Sequence, residues 1–77
     1  MNLGNNILEL RKQMHLSQEK LVEKVGVTRQ TISNWELEHT TPDTHQLITL
    51  AKAFNVSIDT LVDNDIHNLL EQKVNHV

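Results

Sequence analysis

Apolar side chains recur at helical spacing through most of this chain, and the breaks between the runs carry capping residues. Leu3, Ile7, Leu10 and Met14 form one core stripe. They predict a first helix that starts between Asn2 and Asn6, both capable caps, and runs to about Met14. Ser17 is a good N-cap, and Leu21, Val22 and Val25 mark one side of a second helix over about 17–25. Gly26 follows at once, suited to a left-handed C-cap that a Cβ would strain. Thr28 can cap a third helix over about 28–36, whose apolar side holds only Ile32 and Trp35. The other side is Arg29, Gln30, Ser33 and Asn34, nearly all hydrogen-bond donors. A short helix with one buried face and long polar side chains on the other is built to read a surface.

Later in the chain, Asp43 predicts an N-cap, and Gln46 three residues on completes a capping box. Leu47, Leu50, Ala51 and Phe54 form the buried stripe of this fourth helix, with Ile48 flanking it. Ser57 caps a short fifth helix in which Ile58, Leu61 and Val62 are expected to face the core. The pattern is all-α. Beyond residue 63, Asp63-Asn64-Asp65 can cap one short extra helix, with Ile66, Leu69, Leu70 and Val74 on one stripe. Such a helix is marginal alone in water, so the 64–77 tail is expected to dock or to dimerise.

Composition narrows the function classes. With 77 residues there is room for one domain, expected over 1–63. No cysteine is present, so neither a disulfide framework nor a thiolate metal site is available. The five histidines show no i, i+4 pair, so no metal and no cofactor are expected. Ser17, Ser33 and Ser57 fall at helix caps or on an exposed face, without a nucleophile elbow or a Gly-rich phosphate loop, which argues against an enzyme. Neither a long apolar run nor a signal-peptide pattern is visible, so the expectation is a soluble cytoplasmic protein with no membrane partner.

The order Leu16-Ser17-Gln18-Glu19, then Val25-Gly26-Val27-Thr28-Arg29-Gln30-Thr31-Ile32-Ser33-Asn34-Trp35-Glu36, resembles the Cro/repressor-type (xenobiotic-response-element) helix-turn-helix family. Pro42-Asp43, Leu47, Leu50 to Phe54 and Val56 to Leu61 extend the match over roughly residues 3 to 63. The resemblance implies a compact five-helix, phage-repressor-like DNA-binding domain from a bacterium or phage, associated with the nucleoid. It would be a repressor-like transcriptional regulator that reads the major groove of double-stranded DNA with its third helix, as a homodimer on a two-fold operator. Under that resemblance Arg29, Gln30 and Asn34 read base edges, Arg on guanine and Gln or Asn on adenine. Gln18, Thr28, Thr31 and Ser33 contact phosphate or support the readers, Gln18 by buttressing Gln30. The same resemblance implies that Arg11 pairs with Glu36. The dimerising role expected of Ile66, Leu69, Leu70 and Val74 rests on their apolar stripe and not on the resemblance, which ends near residue 63.

Charge pulls the other way. Seven basic residues face ten acidic ones, for a net charge of -3, although DNA affinity draws largely on Lys and Arg. Glycine is usual near Glu38 in the family, and basic residues are usual through Leu37-Glu38-His39-Thr40-Thr41. The competing expectation is therefore a protein-interaction module or antitoxin-like partner with weak DNA binding. Distribution favours the first reading, because six of the seven basic residues precede residue 53.

Overall fold

The computed structural model describes residues 3–63, which form five helices: α1 (Leu3–Gln13), α2 (Gln18–Val25), α3 (Arg29–Glu36), α4 (Thr44–Phe54) and α5 (Ile58–Leu61). The tail residues Ile66, Leu69, Leu70 and Val74 lie outside that range. Four of the five N-termini are capped by the short polar residues that the sequence puts there. Ser17, Thr28, Asp43 and Ser57 each accept the N–H three residues on, and Asp43 with Gln46 closes a full capping box.

The C-termini are less conventional. Gly26 takes the left-handed conformation at φ 78°. His15, Glu38 and Asn55 take it too, at φ 57°, 62° and 57°. Each closes a Schellman motif. Leu16 N–H donates to the Arg11 carbonyl at 2.9 Å, His39 to Asn34 at 2.8 Å and Val56 to Ala51 at 3.0 Å. A residue with a Cβ in this region costs about 1 kcal/mol or more, so three helices end at a local conformational expense.

The core gathers one stripe from every helix. Leu3, Ile7 and Leu10 come from α1, Leu21 from α2, and Ile32 and Trp35 from α3. Leu50, Ala51 and Phe54 come from α4, and Leu61 from α5. α1 packs on α3 and α5, α2 on α3 and α4, and α4 on α5. Met14 is not part of this core and is 43% exposed, because α1 ends at Gln13 and His15 turns the chain away. Ile58, at the first position of α5, is 40% exposed, so in that helix Leu61 carries the burial while Val62 is partly buried.

Two residues of α1 fix the ends of the fold. Asn6 is not a cap; it lies inside the helix, 1% exposed. Its amide donates to the carbonyls of Leu61, at 2.9 Å, and Asp63, tying α1 to the end of α5. Gly4 lets α1 cross the end of α3 closely: an added Cβ would run into the Trp35 carbonyl oxygen and come within 2.7 Å of Glu38 Cγ. Among the described residues no helix is long and apolar enough to cross a membrane.

Candidate nucleic-acid interface

α2, the Gly26 turn and α3 bring most of the expected site residues onto one surface. Ile32 and Trp35 anchor α3 from beneath, 0% and 2% exposed, so its opposite face is held at a fixed height above the core. Burial of the Ile32 side chain stabilises that placement by about 1.5–3 kcal/mol, and the larger Trp35 ring adds its own buried area. Arg29 and Gln30 are exposed on that face, while Thr31, Ser33 and Asn34 are half-buried.

Beneath the face runs a polar network. Arg11 Nε donates to Glu36 Oε2 at 2.7 Å and its Nη2 to Oε1 at 3.3 Å, while Nη1 donates to the Leu16 carbonyl at 2.9 Å. The two side chains are only 15% and 7% exposed. Gln18 Nε2 adds a third donor to Glu36, at 2.9 Å. The carboxylate thus ties α1, α2 and α3 together through one residue.

Gln18 does not buttress Gln30. Its amide oxygen accepts from Arg29 Nε at 3.2 Å and from Ser33 Oγ at 3.5 Å. The reason is Glu36: a carboxylate only accepts, so the Gln18 nitrogen must turn inward and the oxygen outward. Gln30 instead donates from Nε2 to Asn34 Oδ1 at 3.1 Å, one helical turn on. Thr28 accepts from Thr31 N–H at 3.1 Å, and the two hydroxyls lie 2.9 Å apart, so capping is the role both show here. Arg29 Nη1 lies 3.6 Å from Glu19 Oε1, and a cleft of about 280 Å³ opens between Arg11, Ser17, Gln18, Glu19 and Arg29.

In the sequence Glu38 counts only as an acid in a loop expected to be basic. In the fold it takes the left-handed conformation at φ 62°, and its Oε1 accepts the Gly4 N–H of α1 at 3.3 Å. That contact spans 34 positions, so no local pattern announces it. Among the described residues, no group of three or more His, Cys, Asp or Glu could hold a metal ion.

This arrangement of two capped helices joined by a left-handed glycine, with the second anchored from below, matches the model of the Helix-turn-helix family over residues 7–61. The chain belongs to that family, in its XRE, Cro/repressor-type branch. Its relatives include the HTH-type transcriptional regulator ImmR of Bacillus subtilis (strain 168), 34% identical over 84% of this chain and 51% of ImmR. Repressor protein C2 of Salmonella phage P22 is 36% identical over 83% of this chain and 30% of its own length. The chain therefore spans about half or less of these two helix-turn-helix relatives. Among solved structures, the P22 c2 repressor in complex with synthetic operator 9T superposes with a TM-score of 0.78 at 35% identity, over 84% of this chain and 98% of that one. The helix-turn-helix fold is thus the all-helical, phage-repressor-like architecture.

Proposed function

We propose that this chain is a sequence-specific, double-stranded-DNA-binding transcriptional regulator of the repressor type. The observation that carries the reading is the anchored polar face of α3, which lies on a fold shared with a repressor captured on its operator. In such folds the second helix of the pair enters the major groove. Gln30 and Asn34 are the base readers. Their mutual hydrogen bond leaves Gln30 Oε1 as an acceptor and Asn34 Nδ2 as a donor, the complement of adenine's N6 donor and N7 acceptor. Thr28, Thr31 and Ser33 line the approach to the phosphates.

The chain acts as a homodimer on two half-sites roughly 34–36 Å apart, one helical turn of DNA. The dimerising role of Ile66, Leu69, Leu70 and Val74 belongs to this proposal and lies outside the described residues. Selection of bound duplexes from a random pool tests the whole reading at once. A repressor-like dimer enriches a two-fold sequence, and its affinity falls with salt at a slope of about -0.9 per phosphate contact on log–log axes. A variant ending at Val62 that dimerises and binds the selected site as well as the full chain would remove the tail from the proposal.

A second reading is favoured by one specific feature, the Glu38-His39 loop on a chain of net charge -3. On that reading the chain is a protein-interaction module with residual DNA binding. An affinity that hardly changes with salt would select it.

A further inference from the structure

The hydrogen-bond chain that starts at the buried Glu36 carboxylate ends on an exposed cation. Glu36 accepts from Arg11 and from Gln18 Nε2, which commits the Gln18 oxygen to the outer side, where Arg29 Nε and Ser33 Oγ donate to it. Arg29 is 67% exposed, and Glu19, 3.6 Å from its Nη1, is 76% exposed. That ion pair contributes little by itself because water screens it. The fixed Gln18 amide is what sets the direction: Arg29, at the first position of α3, is drawn back across the cleft onto the first turn of α2. Gln30 and Asn34 bond to each other and not to Arg29.

Direction matters because the two helices of such a pair meet different parts of DNA. The second helix faces base edges, whereas the first crosses the sugar–phosphate backbone. A guanidinium suits guanine and phosphate equally well, so placement decides its partner. We infer that Arg29 grips a backbone phosphate rather than a base, and that Gln18, oriented by Glu36, is the positioning residue that aims it. Glu19 tempers that grip by standing as a like charge beside the incoming phosphate. This inference rests on the proposed DNA binding and refines the site beyond it: base preference is left to Gln30 and Asn34.

The test is fluorescence-anisotropy titration of a labelled duplex carrying the site selected by the wild-type chain, together with its single-base variants, across a salt series. A wild-type chain that binds no duplex removes the proposed function, and this inference with it, before any variant is compared. With wild-type binding in hand, Arg29→Ala weakens binding roughly three- to tenfold on every site variant alike, and the salt slope becomes shallower by about 0.9. Arg29→Lys restores most of the loss, since a point charge still serves a phosphate. Glu19→Gln raises affinity uniformly. Gln18→Ala and the equal-length Gln18→Met each reproduce the Arg29→Ala loss, and the double variant Gln18→Ala with Arg29→Ala is no weaker than Arg29→Ala alone. Relaxed preference at one base pair in Arg29→Ala overturns the phosphate role. Additive losses in the double variant overturn the positioning role of Gln18. Arg29 and Glu19 are exposed, so their variants stay informative even where a Gln18 variant unfolds.

Discussion

Replacing Glu36 with Ala removes the acceptor for three donors at once: Arg11 Nε at 2.7 Å, Arg11 Nη2 at 3.3 Å and Gln18 Nε2 at 2.9 Å. Breaking a buried pair from one side costs about 3–5 kcal/mol, because the surviving charge is left desolvated. Arg11 is 15% exposed and keeps the Leu16 carbonyl at 2.9 Å, so the lower end applies, about 3 kcal/mol. For a domain of this size each kcal/mol moves Tm by about 4–8 °C, giving an expected fall of about 12–24 °C. Small domains hold only about 5–15 kcal/mol in total, so the variant sits near the limit of folding. Urea and thermal unfolding followed by circular dichroism at 222 nm measure both quantities.

The same reasoning makes a second demand. Replacing both partners, Arg11→Met with Glu36→Leu, leaves no orphan charge and fills the site with apolar volume, so stability should return to within about 1–2 kcal/mol of wild type. A single Glu36→Ala that shifts Tm by less than about 4 °C refutes the argument, since the carboxylate would then be doing no more than a surface pair. A double variant as unstable as the single one refutes it too, by showing that packing and not the orphan charge sets the loss.

Three further outcomes follow from the geometry. Gln30→Ala and Asn34→Ala should each cost about 1–3 kcal/mol on the cognate site and relax preference at the same base pair. Their double variant should cost clearly less than the sum, because the 3.1 Å bond makes them one reading unit; additive binding losses would show two independent readers. Gly4→Ala forces a Cβ against the Trp35 carbonyl and Glu38 Cγ, and denaturant unfolding should show a loss of about 1–3 kcal/mol; an unchanged midpoint would mean that α1 can shift freely. Glu38→Gly should be more stable than Glu38→Ala by about 1 kcal/mol, since glycine relieves the left-handed strain at φ 62° while both variants lose the contact to Gly4; equal stabilities would leave that strain without energetic weight.

Most of the helical frame was legible because the starts of α2, α3, α4 and α5 are written in local chemistry. A side chain at Ser17, Thr28, Asp43 or Ser57 accepts an N–H three residues away, and that preference needs no tertiary context. Burial was legible where several apolar residues agree on one face, as with Ile7 and Leu10 or Leu50 and Phe54. It failed at the ends of helices. Met14 and Ile58 fit the periodicity, but one lies past the last turn of α1 and the other at the first position of a four-residue helix, where the face has no core to meet. At the candidate site the residue types on α3 could be read, but their pairing could not. Which way the Gln18 amide points depends on Glu36, eighteen positions away.

Glu38 shows why the missing part matters for function. Read along the chain, an acid in the loop after α3 counts against DNA, because a phosphate would be repelled there. In the fold its carboxylate reaches the Gly4 N–H of α1, a helix with no acidic residue in its own first turn. A carboxylate at a helix N-terminus satisfies an orphan donor and complements the helix dipole, contributing about 0.3–1 kcal/mol. That gain offsets part of the left-handed cost at residue 38, which glycine would have avoided. The acid thus has a structural employment inside the domain. The same contact holds α1 against the end of α3, which also carries Glu36, so Glu38 and Glu36 secure α3 from two sides. Net charge counts both acids against DNA binding, yet in the fold both are engaged in holding α3. The weight of evidence against a DNA reader in the composition is correspondingly smaller than the sum of charges implies.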